Sequence, residues 1–116
     1  MIVYPAIDIS SGRIVRLQKG NFSKKTIYSK DVKSQVKNFE EKGAKWIHVV
    51  DLDGALHGKN KNKETIKEIL NVTNCKIQLG GGIRTLENID YWVSLGIERV
   101  VIGTAAILEK NLVEQA

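Results

Sequence analysis

Residues that can transfer protons lie at the ends of two apolar runs in the chain. Asp8 follows the first run, and His48 lies inside the second, which ends in Asp51 and Asp53. A carboxylate in such a place can act as a general acid or base if its surroundings tune its pKa. The simpler interpretation of Asp8 is a turn or cap residue, and that of His48 is a core histidine. Two carboxylates with a distant histidine make a weak metal signature, so we expect no metal.

Glycines follow two further apolar runs and could bind an anion. Gly80, Gly81 and Gly82 are consecutive and precede Arg84, and a second segment, 102–106, reads IGTAA. Consecutive glycines cost backbone entropy on folding, so either a tight turn or a closely approaching phosphate must need the bare backbone. A glycine amide beside the start of a helix is a typical anion site. Neither spacing matches a dinucleotide fingerprint or a P-loop.

Short apolar runs alternate with segments of helical periodicity along the whole chain. The runs predict strands at 2–7, 46–50, 76–79 and 99–103. Because these runs are continuous, they are typical of parallel strands covered on both faces. Apolar residues spaced three or four apart predict helices at 30–42, 63–71 and 86–95, and a last helix from Ala105 towards Ala116.

This alternation predicts an α/β fold with parallel strands in a single domain, residues 1–116. The segment GRIVRLQKGN, 12–21, adds a strand-like excursion before the first helix. Either a small doubly wound sheet or half of an eightfold barrel fits the order of elements. In both folds the carboxyl ends of the strands lie at one edge, which would bring the proton-transfer residues and the glycines together.

The composition restricts the class of protein. The chain has 116 residues, 13.0 kDa and a net charge of +5, and no apolar run approaches the roughly 18–20 residues of a membrane span. The N-terminus lacks the basic region of a signal peptide. Lysines alternate with acids at helical spacing and no aromatic platform accompanies them, which argues against nucleic acid as a partner. We expect a cytoplasmic protein whose single cysteine, Cys75, is a buried structural thiol.

Four motifs, in order, resemble the N-terminal half of the histidine-biosynthesis isomerase family: PAIDISSGRIVRLQKG, HVVDLDGA, LGGGIR and VVIGTAAI. The resemblance implies a (βα)4 half of a (βα)8 TIM barrel. It also implies an Amadori rearrangement, without a cofactor, of a phosphoribosylformimino-aminoimidazole carboxamide ribotide (ProFAR). The sister cyclase shares the glycine triplet but usually lacks the first two motifs. The stretch WIHVVDLDGA is also similar to the dual-substrate isomerases that serve tryptophan biosynthesis, so that variant stays open.

The resemblance assigns roles to eight residues, all of which are expectations at this point. Asp8 is the implied proton acceptor. The implied substrate contacts are Arg16, His48 and Arg84. The implied ligands of one substrate phosphate are the backbone groups of Gly81, Gly82, Gly103 and Thr104. The bare backbone of the glycine triplet would then let the phosphate of a sugar bisphosphate, or inorganic phosphate, rest on amides.

The family barrel has eight strands, and the resemblance ends after the fourth. The second catalytic aspartate and the second phosphate site are therefore expected outside this sequence. A truncated piece, an incomplete reading frame and a half-barrel that self-associates are all consistent with this. A C2 homodimer would place two copies of Asp8, and two phosphate sites, on opposite sides of the opening of one complete barrel. The alternative function is a phosphate-binding half-barrel without catalysis.

Overall fold

The structure is a computed structural model that describes residues 5–18, 21–29, 31–57, 62–102 and 106–109, with only the backbone described at 16–18, 21–29, 56–57 and 106–109. Its strands are β1 (Ala6–Ser10), β2 (Arg13–Gln18), β3 (Asn21–Ser29), β4 (Trp46–Asp51), β5 (Lys76–Gly80), β6 (Arg99–Ile102) and β7 (Ala106–Glu109). Its helices are α1 (Val32–Glu41), α2 (Leu52–His57), α3 (Lys63–Val72) and α4 (Leu86–Leu95).

All seven strands form one sheet in the order β3-β2-β1-β4-β5-β6-β7. Its centre, β1-β4-β5-β6, is parallel, which confirms the predicted α/β class. The flanking strands β2, β3 and β7 pair antiparallel at the two sides. In the part of the chain that the structure describes, the sheet does not close into a barrel.

Three predicted helices are confirmed, and local signals set their ends. The Asp31 carboxylate accepts the Ser34 amide at 3.1 Å to cap α1, and the Thr85 hydroxyl accepts the Asn88 amide at 3.1 Å to cap α4. Each cap satisfies an amide that has no partner inside its helix. Gly96 ends α4 with a φ of 117°, a left-handed conformation that glycine adopts without a steric penalty.

The prediction of a last helix from Ala105 is wrong for residues 106–109, which form β7. These residues pair with the side of β6, because a strand edge presents backbone groups that an adjacent apolar segment can satisfy. The predicted first strand also ends too early, since β1 continues through Asp8 to Ser10. Residues 2–4 of that prediction lie outside the described residues.

The two faces of the parallel strands differ in burial. Ile7, Ile47, Ile77 and Val100 alternate onto a face covered by α1, α3 and α4, where each is at most 1% exposed. Trp92 of α4 lies fully buried in the same layer. We call this the helix-covered face. The prediction that both faces are buried is wrong for the other side, because Asp8, His48, Gln78 and Arg99 lie there only half-buried; we call it the polar face.

Candidate active site

Asp8 and His48 lie on the polar face of neighbouring strands. Asp8 pairs with Val50, and Ala6 pairs with His48, so the two side chains are diagonal neighbours across β1 and β4. Burial raises the pKa of Asp8 above its ordinary value, and the positive charge of nearby His48 opposes this shift. Burial lowers the pKa of His48, and the Asp8 charge opposes that shift in turn. A carboxyl with a raised pKa is suited to exchange protons with a substrate near neutral pH.

Gln78 orients the His48 ring. Its amide nitrogen lies 2.9 Å from His48 Nδ1. An amide that donates to Nδ1 leaves the ring proton on Nε2, which agrees with the lowered pKa of His48. Sequence reasoning did not single out Gln78, although its alternation with Ile77 and Leu79 places it on the same face as His48.

The glycine loop, residues 80–84, continues β5 at the carboxyl edge of the sheet. Asp8, Val50 and Gly80 form one row across three strands, because Asp8 pairs with Val50 and Val50 pairs with Gly80. Neighbouring strands are about 4.8 Å apart, so Asp8 and Gly80 lie about 10 Å apart along this row. A pentose phosphate is of similar length.

The structure constrains the three glycine positions differently. A Cβ on Gly81, where φ is 97°, would overlap the Asp51 carbonyl oxygen, so the packing of this loop against β4 requires glycine there. Gly82 has a φ of 78°, which also favours glycine. A Cβ on Gly80 would instead make an ordinary contact of 3.5 Å with Val101. The turn interpretation of the triplet therefore holds for two of its members, and a ligand is not needed to explain them.

A cavity of about 530 Å³ lies beside the glycine loop. Arg84 is exposed at its border, while Ile83 is buried. The other lining residues are Ala55, Gly81, Gly82, Val101 and Ile102. Among the described residues, the lining thus consists of bare backbone, aliphatic side chains and one guanidinium, which can accommodate an anionic group.

Three of the predicted site residues have undescribed side chains or positions. Arg16 belongs to β2, where its backbone pairs with Thr26, but its side chain lies outside the described part. Gly103 and Thr104 lie outside the described residues altogether. The structure brings together Asp8 and His48 on one face, and it places Gly81, Gly82 and Arg84 around one cavity at the same edge of the sheet.

Asp51 and Asp53 bind hydrogen-bond donors of the protein. Asp51 is fully buried and accepts the Gly54 amide at 2.8 Å and the Asn62 side-chain amide at 2.7 Å. Asp53 accepts the Ser10 hydroxyl at 2.9 Å and the Ser11 amide at 2.7 Å. Among the described residues, no group of three or more histidine, cysteine or acidic side chains is arranged to hold a metal ion.

Two smaller observations complete the description. The Cys75 thiol is half-buried and donates to the Ala44 carbonyl at 3.1 Å. No described helix combines the length and the apolar character that crossing a membrane requires.

The fold and this edge define an α/β protein with a parallel central sheet, whose strand ends carry a neighbouring aspartate and histidine and a glycine loop. Comparison with known proteins narrows this class. The chain belongs to the histidine biosynthesis protein family, whose model matches residues 2–116.

Its relatives include isomerases of imidazole carboxamide ribotides. The chain is 47% identical over its full 116 residues to the 1-(5-phosphoribosyl)-5-((5-phosphoribosylamino)methylideneamino)imidazole-4-carboxamide isomerase of Rhizorhabdus wittichii, and it covers 48% of that protein. The isomerases of the same name from Rhizobium etli and Brucella ovis are also 47% identical over the whole chain, which covers 47% and 48% of them. The chain therefore spans about half the length of the curated relatives it matches.

Proposed function

We propose that this chain supplies one half of the active site of a histidine-biosynthesis sugar-phosphate isomerase. The half-site consists of a base, Asp8, and a phosphate site at the glycine loop. The observation that carries the proposal is the row from Asp8 through Val50 to Gly80, with the cavity at its end. The names of the relatives, which act on a ribotide with two phosphoribosyl groups, support the choice of substrate.

The reaction is an Amadori rearrangement that needs proton transfers and no change of oxidation state overall. The ring oxygen of the aminoaldose takes a proton from an acid as the ring opens, and a base removes the proton on C2. A proton is then returned at C1 while the C2 hydroxyl loses its own proton, which forms the ketone and restores the acid and the base. Asp8 is the proton acceptor at C2, because burial raises the pKa of its carboxyl and so strengthens it as a base. We expect the reaction to need neither a metal nor a cofactor.

His48 and Arg84 bind and orient the substrate. His48 is half-buried beside Asp8, and its neutral ring, oriented by Gln78, offers the Nε2 proton to a sugar or carboxamide oxygen. Arg84 lies at the cavity border, where its guanidinium can pair with a phosphate. Gly103, Thr104 and Arg16 complete the proposed contacts, as the family resemblance implies.

Full turnover needs a second set of strand ends, with another acid and another phosphate site. We propose that a second copy supplies it through a C2 homodimer, in which half-buried Val50 and Val101 of the two sheets face each other. The two Asp8 residues would start with equal pKa values, and the asymmetric substrate would divide them into acid and base. Turnover should therefore be weak, and light scattering should give twice 13.0 kDa.

The direct test is an isomerase assay of the purified chain with ProFAR as the substrate. Asp8→Asn should abolish whatever turnover the chain has, because it removes the base but preserves the shape of the side chain. Asp90→Asn, the same change on the exposed surface of α4, is the matched control. Substrate binding without turnover would support the alternative of a non-catalytic phosphate-binding half-barrel. Absence of both would overturn the proposal.

A further inference from the structure

Asn62 lies at the start of α3 but does not cap it. The residue occupies the N-cap position, yet its side chain makes no hydrogen bond to the first turn of the helix. An N-cap asparagine usually stabilises its own helix through a hydrogen bond from its side chain to the first turn. Asn62 is 95% buried, and its side chain forms its hydrogen bonds with residues outside α3.

The Asn62 side chain joins the start of α3 to residues 51–53 and to the turn between β1 and β2, which lies 50 residues away in the sequence. Its nitrogen donates to the Asp51 carboxylate at 2.7 Å and to the Asp53 carboxylate at 3.1 Å. Its oxygen accepts the Gly12 amide at 2.8 Å. We call Asp51, Asp53 and Asn62 the polar bridge. Every polar atom of the Asn62 side chain is thus committed to a tertiary contact.

One end of the polar bridge holds the turn between β1 and β2. Ser11 and Gly12 have φ angles of 52° and 74°, which is the pattern of a type I′ hairpin turn. A positive φ is unfavourable for serine, so this turn needs external support. The polar bridge provides it, since the Ser11 amide donates to Asp53 and the Gly12 amide donates to Asn62.

The other end of the polar bridge reaches the glycine loop. The Asp51 carboxylate accepts hydrogen bonds from the side-chain amide of Asn62 at 2.7 Å and from its backbone amide at 3.0 Å. Its backbone oxygen lies so close to Gly81 that no Cβ fits between them. A displacement of Asp51 would therefore displace the glycine loop.

We propose that Asn62 is a positioning residue that couples the β1–β2 hairpin, which carries Asp8, to the glycine loop. This inference rests on the proposed function, because it assigns the base and the phosphate site to the two segments that Asn62 joins. Asn62 contacts no reacting atom in this scheme. Its effect is to fix the distance between the base and the phosphate of one substrate molecule.

The test compares Asn62→Ala with Asn71→Ala, the same change at an exposed position of the same helix. In Asn62→Ala, hydrogen exchange of the Gly12 amide should accelerate about tenfold, because its acceptor is lost, while the Ser11 amide keeps its hydrogen bond to Asp53. The NMR signals of Gly81 and Gly82 should shift by more than that of Gly96, which lies away from the polar bridge. The dissociation constant for inorganic phosphate should rise about tenfold at a temperature where the variant is folded. Asn71→Ala should change none of these quantities.

The outcomes separate the coupling from the proposed function. If exchange accelerates at the hairpin while Gly81 and Gly82 stay unshifted, the coupling is wrong. If the wild-type chain binds no phosphate but the glycine signals shift, the proposed function fails and the coupling stands. If Asn62→Ala does not fold, Asp53→Asn replaces it, since this milder change weakens the contacts to Ser11 and Asn62 while keeping the size of the side chain. Unchanged glycine signals in that variant would also overturn the coupling.

Discussion

The two faces of the sheet differ in burial and in polarity. On the helix-covered face, aliphatic side chains and Trp92 are buried and pack together in one apolar cluster. On the polar face, Asp8 and His48 are half-buried, and each perturbs the pKa of the other. Packing is therefore concentrated on one side of the strands, and the proton chemistry that we propose lies on the other. Substitutions should divide accordingly into those that unfold the chain and those that spare its stability.

The largest expected loss of stability comes from the helix-covered face. Trp92→Ala should lower the free energy of unfolding by about 3–5 kcal/mol, because it leaves a cavity in a layer that cannot collapse fully. Leu86→Ala, at a position 77% exposed in the same helix, should change it by less than about 0.5 kcal/mol. Urea denaturation followed by circular dichroism measures both values. Similar losses in the two variants would contradict the assignment of the core.

The glycine loop offers a test at the boundary between the faces. Gly81→Ala should cost about 2–4 kcal/mol, since the new methyl group would overlap the Asp51 carbonyl and the φ is unfavourable. Gly80→Ala should cost less than about 1 kcal/mol, because its methyl group meets Val101 at an ordinary distance. Thermal and urea unfolding of the two variants would measure both losses of stability. Equal costs would mean that the contact between β4 and the loop is wrongly described.

The smallest expected effect on stability comes from the polar face, and it depends on pH. The pKa of Asp8 is raised in the folded state, so its protonated form stabilises the fold at low pH and this stabilisation is lost as the pH rises through the folded pKa. Asp8→Asn should therefore raise the Tm at pH 7 by a few degrees at most. The gain should vanish below the unfolded pKa of about 4. His48 has the opposite pH dependence. Its pKa is lowered in the folded state, so its neutral form stabilises the fold, and this stabilisation is lost as the pH falls.

A scan of Tm against pH for the wild type, Asp8→Asn and His48→Gln resolves the two contributions. His48→Gln should flatten the loss of stability on the acidic side of pH 6.5, the ordinary histidine value. A Tm for Asp8→Asn that is lower than that of the wild type at pH 7 would show that the Asp8 charge stabilises the fold. The Asp8 carboxylate would then not be destabilised by burial, which is the condition that makes it a base in the proposal.

Much of the fold follows from patterns that are local in the sequence. The parallel order of β1, β4, β5 and β6 follows from short apolar runs that alternate with helical periodicity. The ends of α4 follow from Thr85 and Gly96, whose effects act within one helical turn. Such features can be read from neighbouring residues because the interactions that cause them join neighbouring residues. The family resemblance, carried by the motifs at the strand ends, is confirmed by the comparisons.

The features that sequence reasoning missed depend on distant partners. Asn62 shows no local reason to be buried, because its acceptor contact with Gly12 spans 50 residues. The requirement for glycine at position 81 comes from Asp51, which a strand-end pattern cannot reveal. Residues 106–109 have the composition of a helix start, but the neighbouring strand β6 decides their conformation. Tertiary contacts override local preference in all three cases.

The most direct test of the central claim is a titration of the isotope-labelled chain with inorganic phosphate, followed by two-dimensional NMR. The account predicts saturable shifts concentrated at Gly81, Gly82 and Arg84. It also predicts that Arg84→Ala weakens binding about tenfold, while Lys37→Ala, an exposed cation on α1, leaves it unchanged. Shifts spread over the surface lysines, with none at the glycine loop, would contradict the claim that this edge of the sheet is a phosphate site.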